Sequence, residues 1–151
     1  MEIDEIDLKI LQELQCDARK SYRKVAKNVN VAEGTVYNRI EKLKENGVIK
    51  GFIPDIDYSE LGFNLIAIIG VSAEGGFLPD IEEKIAKKPN VTSVYDVTGE
   101  YDAIVVVKFK ERKEMNKFVK DILSMERVER TNTMLALNVV KESHKIDLSS
   151  L

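Results

Sequence analysis

The fold of this chain is decided first by residues 32–47, which run AEGTVYNRIEKLKENG. Within this segment Val36, Ile40 and Leu43 recur at the spacing of one helical face, and the closing Asn-Gly pair is a typical helix stop. The opposite face carries polar and charged side chains. The segment therefore predicts a short amphipathic helix that starts near its first alanine and buries its apolar side.

Another helix is predicted near the start of the chain. Asp4 and Asp7 have the spacing of a capping box, which pairs side-chain acceptors with the free N–H groups of a helix start. Negative charge at that position also suits the helix dipole. Leu8, Leu11 and Leu14 then fall on one face, which we expect to be buried.

A second helix lies between these two. Ser21 is a suitable cap for its start, and Val25, Ala26 and Val29 follow at inward-facing positions. Asn30 tolerates the left-handed backbone conformation that often ends a helix. Three helices of this size share one small core, and the short turn between the second and third predicts a helix-turn-helix.

Residues 48–56 follow the third helix and are apolar enough for a strand. Pro54 has no backbone N–H to give to a sheet, so we expect an edge or connecting strand there. A winged helix would need a two-stranded hairpin, and only one strand is indicated. We therefore expect residues 53–61 to form a hinge.

The second half of the chain alternates strands and helices in the order β-α-β-β-α-β. Its two βαβ halves predict a ferredoxin-like antiparallel sheet with both helices on one side, and hence an α+β protein. The predicted strands are 63–73, 91–98, 101–109 and 128–140, and the predicted helices are 78–88 and 112–125. The expected domains are a helix-turn-helix domain at 1–52, a hinge or linker strand at 53–61, a ferredoxin-like domain at 62–141 and a tail at 142–151.

Two central strands of this sheet have apolar side chains on both faces. Residues 65–69 run LIAII and residues 103–107 run AIVVV, whereas a sheet face in water should alternate with polar residues. The face without helices must therefore be covered as well. The economical cover is a second copy of the same sheet, so we expect a homodimer.

Net charge is distributed unevenly along the chain. The whole chain carries −3, but residues 19–50 contain nine basic and three acidic side chains, a local charge of +6. DNA phosphates require such a local field rather than a basic protein overall. The longest apolar run, residues 65–71, is far shorter than the roughly 20 residues of a membrane span, so we expect a soluble protein.

The third helix then carries the candidate DNA contacts. Its outward side chains suit base edges and phosphates: arginine pairs with guanine and asparagine with adenine, while glycine near the helix start permits close approach of the DNA backbone. Any solvated helix face carries similar residues, so this reading depends on the basic second helix beside it. The candidates are Arg23, Gly34, Thr35, Tyr37, Asn38, Arg39 and Lys42.

The order and spacing of several short motifs resemble the Lrp/AsnC, or feast/famine, family of regulators. The motifs are DEIDLKIL at 4–11, DAR at 17–19, VYNRIEKL at 36–43, NGVIKGF at 46–52 and TGEYD at 98–102. The chain departs from the family pattern at Asn30, where relatives often have glycine, at Ala32, where they often have serine, and at Tyr37, which is often basic. These departures concern the DNA sequence preference rather than the helix-turn-helix itself.

The resemblance implies that dimers assemble further, commonly into octamers, and that a small amino acid binds between dimers near the 98–102 loop. Backbone N–H groups freed by Gly99 would suit a carboxylate, and Asp102 or Glu100 an ammonium group. The alternative is a plain tight turn in which Asp102 satisfies local backbone donors. The candidate effector residues are Tyr95, Val97, Thr98, Gly99, Glu100, Tyr101, Asp102, Thr131, Thr133 and Met134.

Catalytic chemistry has little support in the sequence. The only histidine, His144, lies in the polar tail, and Cys16, the only cysteine, is expected to end the first helix rather than act as a nucleophile. Without a disulfide or a secretory leader, we expect a cytoplasmic protein. An enzyme is not expected, and neither is a cofactor or metal.

The sequence therefore predicts a sequence-specific transcription regulator that binds double-stranded DNA and is modulated by a small effector, expected to be an amino acid. The alternative is an architectural protein that wraps DNA with little sequence choice.

Overall fold

The computed structural model describes residues 2–148. The described chain forms two compact units: one comprises residues 2–55 together with residues 141–148, and the other comprises Ile56–Val140. The finer domain boundaries expected from the sequence stay a prediction.

Three helices build the first unit: α1 (Glu5–Cys16), α2 (Tyr22–Val29) and α3 (Glu33–Glu45). Their shared core contains Val25 from α2 and Val36 and Ile40 from α3, as the spacing predicts. The predicted buried face of α1 is confirmed at Leu14 and wrong at Leu8 and Leu11. Ile10 and Leu14 are the buried apolar residues of α1, with Ile6 packed beside them, whereas Leu8 and Leu11 are only half-buried. Ile6, Ile10 and Leu14 also recur at helical spacing, so the sequence allows a second apolar stripe on α1. This second stripe is the one that faces the core.

The predicted helix ends are confirmed. The Asp4 side chain accepts from the Asp7 N–H at 2.9 Å, and the Asp7 side chain accepts from the Asp4 N–H at 3.2 Å, which completes the capping box. Ser21 caps α2 by accepting from the backbone of Lys24. Asn30 adopts the left-handed conformation, with φ of 60°, and so turns the chain from α2 toward α3.

The strand predicted over residues 48–56 is wrong, because within residues 2–148 the first strand starts at Leu65. Residues 50–61 are exposed throughout, and the side chain of Ile53 is 81% exposed. An extended segment needs a partner strand for its backbone groups, and apolar content alone does not supply one.

The second unit is a four-stranded antiparallel sheet with two helices, which confirms the ferredoxin-like prediction. Its strands pair in the order β2-β3-β1-β4. Ala67, Ile69 and Val71 on β1 meet Ile85 and Ile122 from the helices in one core. The elements are β1 (Leu65–Ala73), α4 (Leu78–Ala86), β2 (Val91–Asp96), β3 (Ala103–Phe109), α5 (Arg112–Leu123) and β4 (Val128–Leu135).

The last strand is shorter than the predicted 128–140. β4 pairs with β1, whose first strand residue is Leu65, so the ladder ends near Leu135. Beyond that point Leu137 is 99% exposed and Val140 is 93% exposed. The apolar run of the sequence therefore continues past the point at which a partner strand is available.

The face of the sheet without helices is apolar, as the sequence predicts. In the register of β1 and β3, Ile68 lies opposite Val106 and Ile66 lies opposite Lys108. Ile66, Ile68, Ile104 and Val106 are only half-buried within the chain, in contrast to the fully buried residues on the helix side.

Candidate functional sites

The outer face of α3 presents most of the predicted DNA-contacting residues to solvent. Tyr37 is 52% exposed, Asn38 and Lys42 are also exposed, and Thr35 is half-buried. A Cβ atom placed on Gly34 would meet no atom within 4 Å among the described residues, so this end of the helix is open to an approaching molecule.

A groove of about 380 Å³ runs along this face within the first unit. One wall consists of Thr35, Asn38, Arg39 and Lys42 from α3, and the other consists of acidic residues from the start of the chain. The complete lining is Glu2, Asp4, Asp7, Thr35, Asn38, Arg39 and Lys42. The groove therefore places hydrogen-bonding side chains beside both signs of charge.

Arg39 does not point away from the protein as the helical spacing predicts. Its Nη1 atom lies 2.7 Å from Oδ2 of Asp4 and 2.8 Å from Oδ1 of Asp7. The Asp7 side chain is 2% exposed and that of Arg39 is 26% exposed. The hydrogen bond from Arg39 is the main cause of the lowered pKa of Asp4, and the same contact raises the pKa of Arg39. A role for Arg39 at DNA stays a prediction.

The opposite edge of α3 carries an aromatic contact that the sequence analysis missed. The ring of Tyr37 lies 6.1 Å from that of Tyr22, the first residue of α2, with a 56° angle between the ring planes. The predicted contact residue Arg23 follows Tyr22 and is exposed. Tyrosines at the start of α2 and in the first half of α3 are the available signal, because a helix-turn-helix brings these segments together.

The predicted effector loop links β2 to β3. Thr98, Gly99 and Glu100 are exposed, and Gly99 has φ of 128°, a conformation that side chains other than glycine rarely adopt. The neighbouring Val97 is half-buried, and its N–H donates to the Asp102 carbonyl at 3.0 Å, which closes the turn.

Asp102 is committed in part to the sheet. Its Oδ2 atom accepts from the N–H of Ala73 at 2.9 Å, and its own N–H donates to the Val71 carbonyl at 3.0 Å. This geometry matches the alternative in which Asp102 satisfies local backbone donors. One carboxylate oxygen therefore stabilises the end of β1.

Tyr101 lies across the face of the sheet without helices. A Cβ atom on Gly70 would come within 2.6 Å of the Tyr101 ring, so glycine is required at this position. Asn132 Nδ2 donates to the Tyr101 hydroxyl at 2.7 Å, and the Arg130 guanidinium lies 5.6 Å from the ring centroid. Gly70, Arg130 and Asn132 were not predicted from the sequence, although strand alternation places Arg130 and Asn132 on the face of Met134.

The structure separates the remaining effector candidates into two groups. Tyr95 and Met134 lie opposite Ile104 and Ile68, on the face that carries Tyr101. Thr131 and Thr133 lie opposite Val71 and Ile69, on the face that the helices cover. Within one chain, strand alternation therefore does not bring all the predicted residues together.

Two further observations concern residues 2–148. No helix in that range is both long and apolar enough to cross a membrane. The same range holds no group of three or more His, Cys, Asp or Glu side chains arranged to bind a metal ion.

Comparison with known proteins assigns each unit. Residues 3–44 match the AsnC-type helix-turn-helix domain, and residues 66–146 match the Lrp/AsnC ligand binding domain. A relative in Pyrococcus furiosus, described as an uncharacterized HTH-type transcriptional regulator, is 54% identical over 97% of this chain and 99% of its own length.

Solved structures share the whole fold. AsnC of E. coli has a TM-score of 0.87 and 26% identity, covering 95% of this chain and 97% of that one. A transcriptional regulator of Neisseria meningitidis in complex with L-Met has a TM-score of 0.90 and 24% identity, with 99% of both chains covered. Family members are transcriptional regulators rather than enzymes, as the sequence indicates. The chain belongs to the Lrp/AsnC family of helix-turn-helix transcriptional regulators.

Proposed function

We propose that this regulator reads a specific DNA sequence through α3, and that a small amino acid modulates its DNA binding or its assembly. The observation that carries the proposal is the exposed α3 face of Tyr37, Asn38 and Lys42 in a unit that matches the AsnC-type helix-turn-helix domain. Such a helix fits the major groove, where asparagine contacts adenine and lysine contacts guanine or phosphate.

Charge on α2 supports this placement. Arg23, Lys24 and Lys27 are exposed, and none of them forms an ion pair with any residue in the range 2–148. In a helix-turn-helix the first helix of the motif crosses the phosphate backbone. Exposed cations on α2 beside hydrogen-bonding groups on α3 thus match the division between phosphate and base contacts. In a prokaryote such as the source of the Pyrococcus furiosus relative, DNA lies in the cytoplasm, and the protein would act there.

Sequence specificity is tested by competition. The wild-type chain is used to enrich a preferred duplex from a randomised library, and its binding is then challenged with mixed-sequence competitor DNA. A regulator should prefer the enriched duplex by about 1,000-fold or more, whereas an architectural DNA-wrapping protein should show little preference. The absence of an enriched sequence would favour the architectural alternative.

The effector proposal rests on the loop from Thr98 to Asp102 and on the ligand binding domain that contains it. The fold relative from Neisseria meningitidis was solved with L-Met, which makes an amino acid the first ligand class to test. We place the ligand near Gly99, where an exposed backbone turn can offer N–H groups to a carboxylate. The Asp102 oxygen not committed to Ala73 would accept from the ammonium group.

Thermal unfolding with each of the twenty amino acids tests this placement. A ligand that binds only the folded protein raises its stability, by about 2.7 kcal/mol at one hundred times its Kd. Asp102→Ala should remove the shift and leave DNA binding intact, with Glu129→Ala, an exposed carboxylate outside the loop, as the control. A shift that survives Asp102→Ala would place the ligand elsewhere.

We further propose a homodimer formed through the sheet face that carries Ile66, Ile68, Ile104 and Val106. Half-buried apolar side chains on a central sheet gain most from a second copy of the same surface. Dimers would assemble further, to an octamer as the family resemblance implies. Light scattering should give an even multiple of the chain mass, and Ile68→Lys should lower it. A wild-type monomer at micromolar concentration would contradict the dimer.

A further inference from the structure

The helix α5 carries a cationic face that the functions above leave unused. Met115, Phe118 and Ile122 point into the core of the second unit. Lys113, Asn116, Lys117 and Lys120 recur at helical spacing on the opposite side, with Arg112 at its edge. These five residues, with Asp121, line a shallow groove of about 590 Å³. We give the name α5 face to five of these residues: Arg112, Lys113, Asn116, Lys117 and Lys120.

The cations of the α5 face have no partners among residues 2–148. Among the residues from 2 to 148, the side chains of Arg112, Lys113, Lys117 and Lys120 form neither an ion pair nor a hydrogen bond. The acidic residues of α5 are engaged elsewhere. Glu114 accepts from the backbone N–H groups of Lys110 and Glu111 as part of the helix cap, and Asp121 lies 3.7 Å from Lys88.

Some other cations of the second unit, by contrast, do form ion pairs. Lys87 pairs with Glu83 at 2.6 Å, and Arg127 pairs with Glu74 at 2.7 Å. Like charges three or four residues apart on a helix destabilise it by a few tenths of a kcal/mol per pair. Lys113, Lys117 and Lys120 have that spacing, so the face carries an electrostatic cost that an external anion would remove.

We infer that the α5 face binds the phosphate backbone of double-stranded DNA, on a stretch outside the one that α3 reads. The cations span about 12 Å along the helix and are mainly lysines, which contact phosphates as point charges. Asn116 can donate to a phosphate oxygen. Between the cations the face has no apolar side chain, which a helix lying in a membrane interface would need.

This inference rests on the proposed DNA binding by α3 and adds a second contact to it. Contacts to phosphates carry no sequence information but extend the bound length of DNA. The α5 face should therefore matter on long duplexes and not on one just large enough for the helix-turn-helix. An assembly that uses both surfaces would bind a preferred sequence and hold the flanking DNA as well.

The test uses the full chain carrying Lys113→Gln, Lys117→Gln and Lys120→Gln together. Binding is measured on a duplex of about 20 bp and on one of about 150 bp, one persistence length of DNA, across a range of salt. On the long duplex the slope of log affinity against log salt should become shallower by about 2 to 3, which means an affinity loss of tenfold or more at low salt. Binding to the short duplex should not change.

A charge-matched control carries Lys84→Gln, Lys87→Gln and Arg127→Gln, which remove the same charge from other surfaces of this unit. It should keep the wild-type salt slope. Thermal unfolding of the α5 variant should match or exceed wild type, because the changes relieve repulsion between exposed lysines. An unchanged slope on the long duplex overturns the inference. The inference is also overturned if the triple α5 variant loses binding only to anionic vesicles or to an acidic peptide and not to the long duplex.

The two proposals fail differently. If α3 does not read DNA, Asn38→Ala leaves the affinity for the short duplex unchanged. If only the α5 inference fails, Asn38→Ala lowers the affinity for the short duplex, while the triple α5 variant binds the long duplex with wild-type affinity.

Discussion

Nη1 of Arg39 donates a hydrogen bond of 2.8 Å to Oδ1 of Asp7, 32 residues earlier in the chain. Asp7 is 98% buried and also completes the cap of α1, so one carboxylate joins the start of α1 to the middle of α3. The orientation of α3 therefore depends on this charge pair.

Arg39→Ala should destabilise the helix-turn-helix unit by about 2 kcal/mol, because removing one partner leaves a buried carboxylate without its counter-charge. Chemical denaturation measures the loss. Arg23→Ala, which removes an exposed cation that has no ion pair within residues 2–148, is the control and should change stability by less than about 0.5 kcal/mol. Arg39→Ala should cost less in an Asp7→Asn background, where the amide oxygen can still accept from the Asp4 N–H but carries no charge, and equal costs in both backgrounds would show that the pair is not the cause.

Stability of the same unit should depend on acid pH through Asp4. The hydrogen bond from Arg39 lowers the pKa of Asp4 below its ordinary 3.8. A carboxyl with a lowered folded pKa adds stability that is fully present above the ordinary value and is lost as pH falls through the folded one. Asp4→Asn should remove the contribution of Asp4 to this dependence below about pH 4, while Glu5 and Glu13, whose pKa values are also lowered, keep theirs. Parallel stability curves for the variant and wild type across that range would refute it.

Glu82→Gln should stabilise the second unit near neutral pH by about 1 kcal/mol. Oε1 of Glu82 is buried, has no hydrogen-bond partner among residues 2–148, and burial raises the pKa of the group, with Asp96 adding to the shift. A raised folded pKa adds stability below the ordinary 4.5 that is lost as pH rises. The gain in melting temperature should therefore disappear below about pH 4, with the exposed Glu83→Gln as control.

Gly70→Ala should destabilise the sheet, because the new methyl group would overlap the ring of Tyr101 and displace it from Asn132. The cost should be about 1–3 kcal/mol, as for other overpacked sites. Tyr101→Phe keeps the ring and loses only the hydroxyl contact, so it should cost less. In a Tyr101→Ala background Gly70→Ala should be tolerated, and equal costs in both backgrounds would show that the ring is not the obstacle.

Local signals in the sequence predict most of the fold. Val36, Ile40 and Leu43 predict the buried face of α3, and Ser21 and Asn30 predict both ends of α2, because each depends on residues within one or two turns. The order of strands and helices in the second unit follows from changes in periodicity. The buried face of α1 was predicted only at Leu14, since its leucines and isoleucines allow two adjacent stripes.

The features that sequence could not predict are those that join distant residues. Helical spacing places Arg39 outward, and only the fold shows that Asp7 lies within its reach. Threonines at 131 and 133 are close in sequence to Met134, yet strand alternation puts them on the other face of the sheet. Residues 48–56 have the composition of a strand but pair with no other strand among residues 2–148, which composition alone does not reveal.

The central claim is that α3 reads DNA, and one binding measurement tests it most directly. The ratio of affinities for the enriched duplex and for mixed-sequence DNA is compared among wild type, Asn38→Ala, Lys42→Ala and the α1 control Lys9→Ala. Asn38→Ala should lower the ratio by about 5- to 150-fold, the worth of a base contact. Lys42→Ala should lower the affinity for both DNAs alike and make the slope of log affinity against log salt shallower by about 1. An unchanged ratio in Asn38→Ala, together with wild-type salt dependence in Lys42→Ala, would contradict the claim.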